Sequence, residues 1–189
     1  MKAEILSIRF VHEGWSRFGL AQVRLDDGAV VEREIEDHGN SVGILPYDPE
    51  RKVATLVREL RVPPLFAAGE QVQLEAPAGL IDDGTPEENA RREALEEVGL
   101  QLHGLEFVGA TYSCASLTTE KIHLYLAPYG RADRAEAGGG AAGEHENIRV
   151  VEMPLAELAA LADRAEITDL KTLTLVLALR ARHPELFRA

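Results

Sequence analysis

Three glutamates, Glu93, Glu96 and Glu97, stand inside the stretch GLIDDGTPEENARREALEEVGL, residues 79–100. At about 100° per residue on an α-helix they fall within roughly one third of the circumference, so they face a common volume. Glu93 and Glu97 form a like-charge i,i+4 pair, which costs about 0.2–0.5 kcal/mol on an exposed helix. A cation reverses that sign. Carboxylate oxygens are hard ligands, and Mg²⁺ takes one or two of them together with water and substrate phosphate oxygens. The alternative is a solvated helix face on which Arg92 and Glu96 form an i,i+4 ion pair. Two features favour the cation. The preceding PAGLIDDG is apolar and glycine-rich, and Arg before Glu is the poorer order for a simple helix pair. The residues alone leave both readings open.

A helix carrying such a cluster needs defined ends. Thr85 suits the N-cap, Pro86 the first helical position and Glu88 the return arm of a capping box, while Gly99 suits a C-terminal glycine. Upstream, residues 4–10, 17–25 and 29–36 alternate or run apolar and are separated by the turn signals HEGWS and DDG, which predicts a three-stranded antiparallel meander. DHGN breaks that pattern, and from Val42 the strands SVGILPY and KVATLVREL follow, joined by a turn at DPER. A subdomain boundary is expected near residue 41, giving an N-terminal β-sheet subdomain over 1–41 and a main domain over 42–189. QVQLEAPAGL reads as one strand leading into the acidic helix. Beyond Gly99, LEFVGATYS, TEKIHLYLAPY and ENIRVVEMP read as strands, EAGGGAAGE as a mobile loop, and residues 154–163 and 169–182 as helices. Mixed rather than strictly alternating elements predict an α+β fold.

With 189 residues, 46% of them hydrophobic, the chain can bury one substantial core. Its formal charge of -12 argues against nucleic-acid binding, which needs clustered Lys and Arg. An anionic substrate therefore needs local help from a metal ion or a few arginines. The single cysteine, Cys114, forms no internal disulfide, and a cytoplasmic location is expected. The start MKAEILSIRF carries charges where a signal peptide needs an apolar run, and the longest aliphatic stretch, residues 172–179, is too short to span a bilayer. No membrane role is expected.

Gly79 followed by Arg92-Glu93-Ala94-Leu95-Glu96-Glu97-Val98-Gly99-Leu100 resembles the signature of the Nudix hydrolases, G-x5-E-x7-R-E-U-x-E-E-x-G-U, where U is bulky and aliphatic. Ala94 departs from the first aliphatic position. Gly79 to Arg92 is one residue shorter than the family spacing, and the loop glutamate is missing where Gly84-Thr85 stand. The segments EREIEDHGN, VRELRVP, EAPAGLID, TEKIHLYLA and AGGGAAGEHENIRVVEMP extend the resemblance to the nucleotide-sugar branch of the family, the ADP-ribose and GDP-mannose pyrophosphatases. The shortened signature and the AGGG loop lean towards GDP-mannose. Ser113-Cys114-Ala115-Ser116 replaces the Ser-Pro-Gly usual in both groups.

The resemblance implies a Nudix fold, a mixed sheet between helices preceded by an N-terminal antiparallel sheet that mediates a homodimer. It implies that Glu93 and Glu97, with help from Glu96 and the Ala78 carbonyl, bind Mg²⁺, with Mn²⁺ as the substitute, and that Arg92 orients the carboxylates. Glu146, or Glu144 close by, is the implied base, on a loop able to close over substrate. Arg58 and Arg61 are expected at the substrate diphosphate, and Arg33 and Glu34 at the nucleotide. The implied reaction is hydrolysis of the pyrophosphate bond of a nucleoside diphosphate sugar to a nucleoside monophosphate and a sugar phosphate. The alternatives are a non-hydrolytic nucleotide-sugar sensor, which needs a DNA-reading element that no basic stretch supplies, and hydrolysis of another nucleoside diphosphate derivative.

Other residues admit two readings each. Glu75 is an auxiliary ligand or a solvent-facing strand residue, and Trp15 a subunit contact or a cap on its own sheet. His123 reads as a satisfied sheet histidine, and Cys114 as a small semi-buried residue that lacks a base to make it a nucleophile. No Cys/His spacing suggests zinc.

Overall fold

Antiparallel pairing of β1 (Ala3–Glu13), β2 (Arg17–Leu25) and β3 (Val30–Asp37) forms a three-stranded sheet in the order β1-β2-β3, as the alternating N-terminal pattern requires. The protein is seen in a computed structural model, which describes residues 1–140 and 147–188. β1 is longer than its alternating core and exposed along its whole length. The chain divides into two compact units, Met1–Asn40 with Thr111–Lys121, and Ser41–Ala110 with Ile122–Ala189. In the first unit the segment from Thr111 is tied to β3 by backbone bonds: Glu36 N–H donates to the Leu117 carbonyl at 2.9 Å and Thr119 N–H to the Glu36 carbonyl at 3.0 Å. Trp15 stacks on His38 with ring centroids 4.9 Å apart yet stays 76% exposed. His38 in turn meets Glu36 at 2.8 Å. Cys114 is exposed rather than semi-buried, with its Sγ 3.3 Å from Ser116 Oγ.

The second unit is built on a mixed seven-stranded sheet. Its strands are β4 (Ser41–Asp48), β5 (Val53–Leu60), β6 (Val72–Glu75), β7 (Ala78–Leu80), β8 (Glu106–Tyr112), β9 (Lys121–Pro128) and β10 (Arg149–Pro154). The path runs β10-β5-β4-β9-β8, and β4 pairs β9 in parallel. β4 and β5 stay paired only at Tyr47↔Ala54 and Asp48↔Val53, beside their turn, and then splay apart. β6 fills the gap along β5 and β7 along β4, so the run expected as one strand is two, broken at Ala76-Pro77. Proline has no N–H to give a ladder, and the break lets one segment serve two diverging partners.

Alternation divides the sheet's side chains between two layers. Val42 and Ile44 of β4, Val57 of β5 and Tyr125 and Ala127 of β9 pack against Ala90, Ala94 and Val98 of α2 (Pro86–Val98). Leu45, Tyr47, Leu56, Leu124 and Leu126 pack on the other face against Leu155 and Leu158 of α3 (Leu155–Asp163) and Leu175, Val176 and Leu179 of α4 (Leu170–Arg182), with labels in chain order after α1 (Val62–Ala68). In helix α1 Pro63 and Pro64 occupy the first turn, where a missing N–H costs nothing. Ala94, the small residue in an aliphatic position of the signature, is fully buried under the sheet, where a methyl group lets α2 lie close. No helix among the described residues is long and apolar enough to cross a membrane.

Candidate active site

The acidic helix begins as its sequence dictates. Thr85 Oγ1 accepts from Glu88 N–H at 3.2 Å, Glu88 Oε2 accepts from Thr85 N–H at 2.7 Å, and Pro86 opens the first turn. Thr85, near the place of the family's loop glutamate, is thus a helix cap. At the other end Gly99 adopts φ 69° and its N–H reaches the Leu95 carbonyl at 3.0 Å. Between these caps the buried face carries Ala90, Ala94 and Val98 together with Glu93 and Glu97, whose exposures are 7% and 4%. Carboxylates are rarely buried to this extent without partners.

Strand β7 supplies a surface against which both lie. Ala78 N–H points to Glu97 Oε2 at 3.3 Å. At Gly79 an added Cβ would sit 2.3 Å from the Glu93 carboxyl carbon, so that residue must be glycine for the carboxylate to reach the strand. Consecutive residues of β7 thus meet consecutive turns of α2. Glu96 is the most exposed of the three, and Arg92 meets its Oε2 at 3.1 Å. Arg92 also meets Glu93 Oε1 at 2.8 Å and donates to the Leu80 carbonyl at 3.3 Å and Asn89 Oδ1 at 3.1 Å. The i,i+4 pair of the plainer reading and the buried carboxylates of the metal reading therefore coexist, with Arg92 between them. Asn89, which the sequence did not single out, is 2% exposed and donates to the Asp83 and Thr85 carbonyls at 2.8 and 3.0 Å, tying the shortened loop to the helix.

Arg61 and Arg58 part company. Arg61 donates from Nε to Glu75 Oε1 at 2.8 Å and from Nη2 to Glu75 Oε2 at 3.0 Å, and it meets Glu59 Oε2 at 2.8 Å. Glu75 is 3% exposed, so it is no solvent-facing strand residue. Its second cation is Lys171 of α4, which bonds the same Oε2. Burial alone would raise the Glu75 carboxyl, but the Arg61 hydrogen bonds and the Lys171 and Arg61 charges outweigh it and hold it below the usual range. Arg61 is drawn down by burial and up, by more, by Glu75, Glu59 and Glu97, which places its charge within reach of the α2 carboxylates. Arg58 lies on the opposite face of β5 and lines a cavity of about 410 Å³ with Gln73, Leu161 and Thr168. Arg33 and Glu34 are exposed on β3 in the first unit, where Arg33 Nη1 donates to the Glu32 carbonyl at 2.9 Å. Glu144 and Glu146 lie outside the described residues.

The glycine-rich stretch read as a mobile loop is docked at its start. Gly139 N–H donates to the Glu97 carbonyl at 2.8 Å and Gly140 N–H to the Glu96 carbonyl at 3.1 Å, which satisfies the open end of α2. Gly138, Gly139 and Gly140 take φ values of 73°, 115° and 89°, a conformation glycine adopts without a Cβ penalty.

Two nearly buried carboxylates on one helix face, set against a strand backbone that only glycine leaves open, are a donor set suited to a hard divalent cation. Among the described residues no three acidic, His or Cys side chains converge on one point. A cation held here would complete its shell with oxygens of water, backbone or substrate, which is the habit of Mg²⁺.

Residues 37–175 match the NUDIX domain, so the chain belongs to the Nudix family and is a hydrolase of the pyrophosphatase type. It is 36% identical over 189 residues to the GDP-mannose pyrophosphatase of Cronobacter sakazakii, covering 96% of this chain and 97% of that protein. It is 37% identical over 160 residues to the GDP-mannose pyrophosphatase of Escherichia coli, covering 83% of each. The solved structure of an ADP compounds hydrolase superimposes with a TM-score of 0.79 over 100% of this chain and 98% of that one, at 22% identity, a likeness of fold.

Proposed function

We propose that the chain is a Mg²⁺-dependent hydrolase that cleaves the pyrophosphate bond of a nucleoside diphosphate sugar, GDP-mannose first and ADP-ribose second, to a nucleoside monophosphate and a sugar phosphate. The observation that carries this reading is the burial of the Glu93 and Glu97 carboxylates against Ala78 and Gly79. The substrate class is supported by the relatives named GDP-mannose pyrophosphatase, which match over most of their length.

In this reading Glu93 and Glu97 hold the cation, with the Ala78 carbonyl and Glu96 as further oxygen donors. When bound, the ion offsets charge on the diphosphate and makes water a stronger nucleophile at neutral pH. Arg92 fixes the rotamers of Glu93 and Glu96. Arg61, whose Nε and Nη2 face Glu75 and whose Nη2 also meets Glu59, offers Nη1 to the diphosphate, and Glu146 or Glu144 accepts the proton of the attacking water. Residues 42–189 form the catalytic domain, and residues 1–41 the sheet through which two copies pair in the cytoplasm.

The test is an assay in Mg²⁺ with GDP-mannose, ADP-ribose, ADP-glucose, UDP-glucose and GTP, with products identified by chromatography. Mannose 1-phosphate and GMP from GDP-mannose, abolished by EDTA and restored by Mg²⁺ or Mn²⁺, are expected. Preference for GTP would refute the nucleotide-sugar assignment.

A further inference from the structure

Asn89 is a buried amide in α2 that the reaction described above does not use. It is 2% exposed, and the other buried residues of that helix are Ala90, Ala94, Val98 and the two carboxylates Glu93 and Glu97. Asparagine is a poor helix former because its side chain competes for backbone groups, and a buried amide is costly unless its donors and acceptor are engaged. Here all are engaged. Nδ2 donates to the Asp83 carbonyl at 2.8 Å and to the Thr85 carbonyl at 3.0 Å, and Oδ1 accepts from Arg92 Nη2 at 3.1 Å. The nitrogen therefore holds the connection from β7 to α2, and the oxygen holds Arg92.

The oxygen bears on the cation site. The Arg92 side chain is 40% exposed, and fixing a long side chain of this kind costs conformational entropy. Three carboxylates surround its fork: Glu96 Oε2 lies 3.1 Å from Nη1, while Glu93 Oε1 at 2.8 Å and Asp82 Oδ2 at 3.6 Å lie by Nη2. Two neutral acceptors fix the direction of Nη2 without adding charge, the Leu80 carbonyl of β7 at 3.3 Å and Asn89 Oδ1 of α2. Of these only Asn89 acts through its side chain. Without that oxygen the guanidinium is free to turn towards Asp82, whose side chain is 73% exposed, and the carboxylate of Glu93 loses a fixed neighbour.

We propose that Asn89 is a positioning residue of the cation site: its amide oxygen keeps the Arg92 guanidinium between Glu93 and Glu96, so that Glu93 stays against β7. This rests on the reading that Glu93 ligates the cation. The role separates from the tie to the loop, because the two belong to opposite ends of the amide.

The experiment compares Asn89→Ala, Asn89→Asp, Arg92→Met, Glu93→Gln and the Asn89→Ala/Arg92→Met double variant with the parent full-length protein. Mn²⁺ binding to substrate-free protein is measured by calorimetry, stability by urea unfolding, and KM and kcat for GDP-mannose at limiting and saturating Mg²⁺. Asn89→Ala is expected to weaken Mn²⁺ binding about tenfold in the parent but less than about twofold in Arg92→Met, where the residue it acts through is already gone. Its cost in urea unfolding should be alike in both backgrounds, since both lose the loop bonds. Turnover is expected to fall about tenfold at limiting Mg²⁺ and to recover most of that at saturating Mg²⁺, with KM within about threefold of the parent value. Asn89→Asp keeps the acceptor for Arg92 and loses both loop donors, so it should bind Mn²⁺ within about threefold of the parent while still losing stability. Unchanged Mn²⁺ binding in Asn89→Ala, equal losses in the two backgrounds, or an Asn89→Asp variant that binds more than about tenfold more weakly than the parent would overturn the proposal. If Glu93→Gln and Arg92→Met leave Mn²⁺ binding unchanged, the cation reading itself fails. If they weaken it and Asn89→Ala does not, the positioning role of Asn89 alone fails.

Discussion

At Gly79 one hydrogen in place of a methyl group decides whether Glu93 can lie against β7. The residue has no positive φ, so alanine suits its backbone, and the whole penalty of Gly79→Ala comes from a Cβ set 2.3 Å from the Glu93 carboxyl carbon and 2.5 Å from its Oε2. The side chain must swing away or the strand must move. We expect Gly79→Ala to fold with a melting temperature lowered by a few degrees, about 1–3 kcal/mol of overpacking, and to bind Mn²⁺ about tenfold or more weakly in calorimetry. Unchanged Mn²⁺ affinity would mean that Glu93 is not a ligand. Glu97→Gln probes the same point from the helix. The amide keeps the shape, and its oxygen still accepts from Ala78 N–H, so the fold should persist while the charge opposite a cation is lost. Turnover is expected to fall by about a hundredfold or more, and near-parental rates in that variant would sink the metal assignment.

Among the elements, α2 does the positioning, and its stability rests on its caps. Thr85→Ala removes the acceptor for Glu88 N–H and one of the two Thr85 donors to the Glu88 carboxylate, leaving the backbone N–H, at an expected cost of about 1 kcal/mol in urea unfolding; a loss within error would show that the side-chain half of the box contributes nothing. That cap was legible because its signal is local, four residues in a row. So were the glycine that ends α2 and the meander β1-β2-β3, since period and turn chemistry reside in adjacent residues. What was hidden depends on partners far along the chain. Gln71 to Leu80 reads as one strand, and only the divergence of β4 from β5 splits it. Helix α1 carries no distinctive signal, because prolines that begin a helix and prolines that make a turn are the same residues. Glu75 was ambiguous because its cations, Arg61 and Lys171, stand 14 and 96 residues away. Arg58 and Arg61 look equivalent in VRELRVP, yet Arg58 stands on the opposite face of β5 from Val57 and Glu59, and Arg61 follows the end of the strand.

At the scale of the whole molecule, the first unit presents a long edge strand whose Ile5, Ile8, Phe10 and Val11 are 57%, 44%, 38% and 47% exposed. Bare apolar edges of this kind invite pairing. Light scattering should find a dimer, and Ile5→Lys with Val11→Lys should shift it towards monomer; a monomeric parent would rule out the proposed pairing. Acid should act on the second unit through Glu152 of β10. Hydrogen bonds from Arg51, at 2.7 Å from Nη1, and then from Arg134, at 2.8 Å, outweigh burial and pull its carboxyl from 4.5 down to about 2. The folded chain therefore takes up this proton less readily than the unfolded chain. The resulting stabilisation is fully present above pH 4.5 and drains away as the pH falls towards about 2. Because the side chain is 34% exposed, solvent and salt screen part of it. Urea melts of Glu152→Gln against the parent should show a stability gap at pH 7 that narrows below pH 4.5 and closes near pH 2, and that shrinks in 1 M salt. The neutral amide retains the packing but not the charge, so a gap of constant size across that range would assign the role of Glu152 to shape rather than to the ion pairs that join β10 to the β4–β5 turn and to Arg134.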